Sequence, residues 1–146
     1  AIGRNFQESF QKAIRGLEIG KYGLEPINDL ENSDWETNLK RQLNNPSSDR
    51  IWYVADAFRS GKKVDDVYRE TSIDPWFLAE IEDLVMEELD ISAKQLTDLD
   101  YRSIVELKRK GFADRRIADL LSLSEKIVRD YRHELGIFPV FKRVDT

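Results

Sequence analysis

Residues 50–85 are echoed by residues 100–135 at a constant offset of 50, without a gap. Gly61 aligns with Gly111, Val67 with Ile117, Ser72 with Ser122, Ile73 with Leu123, Phe77 with Ile127 and Leu78 with Val128. Upstream of the glycines, Ile51, Val54 and Ala57 align with Tyr101, Ile104 and Leu107. An echo of this length means that one supersecondary unit occurs twice. Each copy reads helix, glycine turn, short helix, polar turn, longer helix. The expected fold is all-α: a duplicated three-helix unit with an N-terminal helical arm and an extended C-terminal tail. At least seven helices and no sheet of three or more strands are expected, with Gly61 and Gly111 at equivalent turns.

The rest of the chain divides around this repeat. Phe6, Phe10, Ile14 and Leu17 recur at spacings of four, four and three, one face of a helix. Gly20 and Gly23 are expected to end it. Ser33 stands three residues before Glu36, the spacing of a reciprocal capping box, and Trp35, Leu39 and Leu43 follow on one face. Asn44-Asn45-Pro46-Ser47-Ser48 is the clearest break, after which Ser48 or Asp49 can cap the next helix. Asp74-Pro75 opens the long helix of the first copy, which is expected to fade near Asp90. The reading is one domain over 1–146, with an arm at 1–46, repeat one at 50–85, repeat two at 100–135 and a connection at 137–146.

A chain of 146 residues suits one domain with a sizeable core. Charged residues are 35% and apolar residues 40%, a balance that fits helices with one buried stripe and a solvated outer face. The net charge of -5 argues against a general nucleic-acid binder. No apolar run approaches a membrane span, so no membrane partner is expected. The lack of cysteine excludes disulfides and fits a cytoplasmic location. Without an initial methionine, the chain reads as a piece of something longer.

Three motifs suggest chemistry and each has a plainer reading. Residues 111–136 resemble a helix-turn-helix, the alternative function being a nucleic-acid-binding module. Its second helix, however, sets Lys126, Arg129 and Arg132 against Glu125, Asp130 and Glu134, whereas a groove-reading helix carries surplus cations. Gly16 to Gly23 invites comparison with a phosphate loop, yet only three residues separate Gly16 from Gly20-Lys21, and Tyr22 replaces the hydroxyl residue. Helix termination explains it better. From Glu80 to Asp100 there are eight carboxylates and one lysine, with no calcium-loop spacing. Nearby cations at Lys108, Arg109, Lys110, Arg115 and Arg116 can pair with these acids within the domain or across an interface. With one histidine, His133, no transition-metal site is expected. No catalytic, cofactor-binding or metal-ligating residue is assigned.

Trp35, Trp52 and Trp76 each need burial and a partner for the indole N–H. Trp52 and Tyr53 widen the apolar face of their helix. Core packing accounts for this, and a contact with another subunit is the alternative, which makes Trp52 and Tyr53 the candidate interface.

Residues Arg50–Arg59 (RIWYVADAFR) and Thr71–Leu78 (TSIDPWFL) resemble the large subunit of carbamoyl-phosphate synthase. So do Ser9–Glu18 (SFQKAIRGLE), Leu107–Asp114 (LKRKGFAD) and Pro139–Thr146 (PVFKRVDT). The resemblance covers nearly the whole chain in order. It implies the helical oligomerisation domain that joins two ATP-grasp halves of an ATP-dependent ligase, a non-catalytic piece of an enzyme that serves arginine and pyrimidine biosynthesis. One half makes carboxyphosphate and then carbamate from bicarbonate, ATP and ammonia; the other makes carbamoyl phosphate. Implied partners are those flanking halves, a glutamine-hydrolysing small subunit and a second copy. Implied cofactors are ATP and magnesium in the parent, with none in this chain. An apolar self-association that survives salt is expected.

Overall fold

The computed structural model describes residues 5–17, 20–28 and 31–138. Among them are eight α-helices and no strand. The helices are α1 (Phe6–Gly16), α2 (Trp35–Leu43), α3 (Arg50–Arg59), α4 (Val64–Thr71), α5 (Pro75–Ser92), α6 (Tyr101–Arg109), α7 (Asp114–Leu121) and α8 (Glu125–Glu134), with a 3₁₀ turn at Leu96–Asp98. The tail from 139 to 146 lies outside the described residues.

The duplication holds at the level of single hydrogen bonds. Lys62 donates its amide to Ala57 O, and Phe112 donates to Leu107 O, both at 3.1 Å. These bonds close the same left-handed helix terminus, with φ of +97° at Gly61 and +88° at Gly111. The polar turns also match: Ser72 and Ser122 both take the left-handed conformation, φ 57° and 59°. This region disfavours a Cβ, so its recurrence at the same place marks a conformation set by the unit. At the next cap, the Asp74 carboxylate accepts from the Trp76 amide and the Ser124 hydroxyl accepts from the Ile127 amide.

Burial follows the same register. Val54, Ala57, Val67 and Leu78 are buried, and so are Ile104, Leu107, Ile117 and Val128 at the aligned positions. Phe77 and Ile127 are both exposed. Helices α3 and α4 pack on α5, α7 packs on α8, and α5 against α7 joins the two units. Trp52, Phe58, Leu24, Leu39 and Leu43 fill the core on the first side, and Leu99, Ile104, Phe112 and Ile117 on the second.

The arm departs from its expected form. Helix α1 ends at Gly16, before Gly20, and Leu17 is exposed. Its inward face is largely polar: Gln7, Glu8 and Gln11 are buried beside Ile14, while Phe6 and Phe10 are half-buried. Gln11 Nε2 donates to Lys110 O at 2.8 Å, Arg15 to Gly111 O at 2.6 Å, and Gln7 to Asp83 at 2.9 Å. The helix is therefore seated by side-chain hydrogen bonds onto α5 and onto the turn that ends α6. The Ser33–Glu36 capping box does not form; Asp34 holds the N-cap position of α2 without a side-chain bond to the helix. Burial of Leu39 and Leu43 holds that helix in place, against α3 and α4. Helix α5 runs two residues past Asp90 to Ser92.

Candidate interaction surfaces

Among the described residues, the buried charged side chains are held in ion pairs inside the domain. Glu88, on the inward face of α5, is 3% exposed. Its carboxylate accepts from Arg116 Nε at 2.8 Å and Nη2 at 2.9 Å, and from Arg59 Nη2 at 2.9 Å. Arg59 also bridges to Asp56 at 2.8 Å and donates to the Leu24 carbonyl. The second oxygen of Asp56 accepts the amides of Ile27 and Asn28 at 3.0 and 2.7 Å. Two carboxylates and two guanidiniums, with Glu25 3.9 Å from Arg116, thus form a largely buried network tying the arm, α3, α5 and α7 together. For Arg116, burial opposes the charged form, but the bonds to Glu88 outweigh it and hold the guanidinium above its ordinary range.

A second network fixes the repeat-two turn. Arg132, buried on α8, binds Asp114 through Nε at 3.1 Å and Nη2 at 2.9 Å, and donates to Ile137 O at 2.8 Å. Lys108 completes it at 2.9 Å from Asp114. Burial pushes the Asp114 carboxyl up, yet Arg132 and Lys108 prevail and leave it below the usual carboxylate range. Lys110 pairs with Asp83 and Glu87, both at 2.8 Å. The acidic helix and the basic turn between 108 and 116 therefore meet within one domain.

These contacts also settle the tempting motifs. In α8, Arg132 faces inward and Lys126 is bound to Asp130 at 2.6 Å, so the described residues offer no support for a groove-reading helix. The amides of Tyr22 and Gly23, where a phosphate would be cradled, donate to the Glu25 carboxylate at 2.6 and 3.3 Å. No three His, Cys, Asp or Glu side chains among the described residues are grouped to hold a metal ion. No described helix is long and apolar enough to cross a membrane.

Trp52 is corrected as an interface candidate. It is 1% exposed, and its indole N–H donates to Gly23 O at 3.0 Å beneath Lys21, whose ammonium lies 5.7 Å from the ring centroid. A ring so buried and so bonded is core and cannot meet a second molecule. Tyr53 beside it is half-buried against the same core. The open aromatic surface lies elsewhere. Phe6, Phe10, Trp76 and Phe77 form a cluster in which Phe6 sits 5.3 Å from Trp76 and 5.2 Å from Phe77, both edge-on, and stacks on Phe10 at 5.6 Å. Trp76 remains 54% exposed and Phe77 43%. Sequence reasoning placed these residues on core stripes. The Asp74-Pro75 cap was the available signal, because it puts Trp76 and Phe77 in the first, outermost turn of α5.

Comparison with known proteins agrees with this architecture. The family described as the oligomerisation domain of the carbamoyl-phosphate synthetase large chain matches residues 1–136. The chain is 53% identical over its whole length to a carbamoyl phosphate synthase large chain of Pseudomonas aeruginosa, of which it spans 14%. It is 51% identical to that of Neisseria meningitidis serogroup A, spanning 13%, and 48% identical to that of Vibrio cholerae, spanning 14%, in both cases over all its residues. A duplicated helical stack whose charges are internally paired, matched end to end at this identity, belongs to the carbamoyl-phosphate synthetase large-chain oligomerisation domain family.

Proposed function

We propose that this chain works as the non-catalytic joining module of a carbamoyl-phosphate synthase large chain. It would hold two ATP-dependent synthetase halves in fixed relation and support self-association of the parent. The observation that carries this reading is the Asp56–Arg59–Glu88–Arg116 network, which devotes three buried ionisable groups and the half-buried Arg59 to locking the arm, α3, α5 and α7 into one body. Ionisable groups in a catalytic site face a cleft and a substrate; these face one another. ATP and magnesium, the glutamine-hydrolysing small subunit and a cytoplasmic setting belong to the proposal for the parent. The test is titration calorimetry of the chain with magnesium-ATP. No heat of stoichiometric binding is expected, and a micromolar one-to-one complex would overturn the non-catalytic reading.

A further inference from the structure

The aromatic cluster is an apolar part of the surface that the domain leaves open. Three edge-on contacts and one stacked pair hold the four rings in place without a partner. Their open part amounts to a few hundred Å², chiefly on Trp76 and Phe77. A stable contact between separate molecules buries about 800 Å² on each side. The cluster is too small to secure a free partner. It suits one delivered by a covalent tether, which raises the effective concentration to about the millimolar range.

Its position says which tether. Phe6 is the first residue of α1, directly after the N-cap Asn5, whose side chain is bonded to Glu8 N and Arg109 O. Phe6, whose ring meets Trp76 and Phe77, is therefore the residue of α1 nearest in sequence to whatever segment of the parent leads into this helix. The relatives carry about six-sevenths of their length outside the matched region, the chain spanning 14% of them. At the far end of the described residues there is a single exposed ring, Phe138, stacked on His133 at 5.0 Å, and not a cluster of four.

We infer that the Phe6–Phe10–Trp76–Phe77 cluster is the docking face for an apolar surface of the part of the parent chain that immediately precedes α1. The inference rests on the joining role proposed above and adds the face through which one neighbour is held. Exposed Trp76 and Phe77 are its anchors, since interface energy concentrates in a few large aromatic side chains ringed by polar groups. Here the polar rim is Gln7 and Asp83, bonded to each other at 2.9 Å.

Radical footprinting of the full-length parent, read by mass spectrometry, tests this. Each ring is referenced to its own rate in the urea-unfolded chain. An open Trp76 would react about twofold slower than unfolded, as its 54% exposure requires. Docked, it should be slowed by about tenfold or more, at every protein concentration. Twofold slowing in the full chain overturns the inference, and so does protection that develops only as concentration rises, which would assign the face to a second copy. Trp76→Ser with Phe77→Ser provides a second readout. Both rings are substantially exposed, so helicity should be unchanged, while proteolysis just before residue 1 should accelerate several-fold. An unchanged cleavage rate counts against the docking face. Carbamoyl-phosphate synthesis by full chains with and without residues 1–146 tests the joining role separately. Trp76 left open in a chain that needs the domain defeats the docking face alone.

Discussion

Glu88 is the residue on which most of the domain converges, because it is the common acceptor for guanidiniums from two different helices. A buried pair contributes little net stability over a well-packed apolar substitute, but breaking it strands an uncompensated charge. Glu88→Gln is therefore expected to cost about 3–5 kcal/mol in urea unfolding. In a double-mutant cycle with Arg116→Gln, a coupling of about 1–3 kcal/mol should appear; additive losses would mean that the pair is not the source. Asp114 sets an acid limit. Burial raises its pKa, Arg132 and Lys108 lower it further than burial raises it, and the folded value lies below the unfolded one, which is about 3.9. The carboxylate's contribution is thus complete above the unfolded pKa and is lost as pH falls through the depressed folded pKa. Stability between pH 5 and about pH 2 should fall less steeply in Asp114→Asn, which starts lower; parallel curves would show that Asp114 does not carry the dependence. That the acids of 80–100 could pair with the cations around Gly111 was legible from sequence, but which acid would take which cation was not. Glu88 lies among scattered acids of one helix, and Arg59 and Arg116 stand 29 and 28 residues away, so only the packed fold could select them.

At the scale of elements, the duplicated turns supply an internal control. Gly61 and Gly111 share a left-handed backbone, yet a Cβ at Gly61 meets nothing within 4 Å, whereas at Gly111 it would lie 2.8 Å from the Cα of Glu8. Gly61→Ala should cost about 1–2 kcal/mol, the conformational penalty alone. Gly111→Ala should cost clearly more and should also release α1, seen as faster amide exchange in residues 9–14. Equal losses in the two variants would show that the arm yields freely. The repeat was legible because apolar periodicity and left-handed glycine turns are local properties that recur at a fixed interval. The seat of α1 was not, since its contacts run from Gln7 and Gln11 to partners 76 and 99 positions away. The row Phe6, Phe10, Ile14 and Leu17 marked only one edge of the inward face: Ile14 is buried and Phe10 packs against the core, while Leu17 is exposed. Hydrogen-bonding amides took the inward positions, and the rings were left to one another and to Trp76 and Phe77.

For the molecule as a whole, Lys110 and Arg116 of the basic turn are held by carboxylates of the acidic helix, which leaves fewer charges for a salt-sensitive contact. Self-association of the parent should then persist in 1 M salt, where the screening length falls to about 3 Å. Sedimentation showing dissociation by salt alone would return the interface to exposed charges. The seating of α1 also bears on how such a chain is made. Its anchors, Lys110 O and Gly111 O, are supplied about 100 residues after the helix itself. At a ribosome's pace of about 5–20 residues per second, α1 waits about 5–20 s for its seat. Phe6 and Phe10 spend that interval unaccompanied by Trp76 and Phe77 for most of its length. The domain is consequently completed from its second repeat backwards, and the nascent arm is the stretch that a chaperone would have to shield.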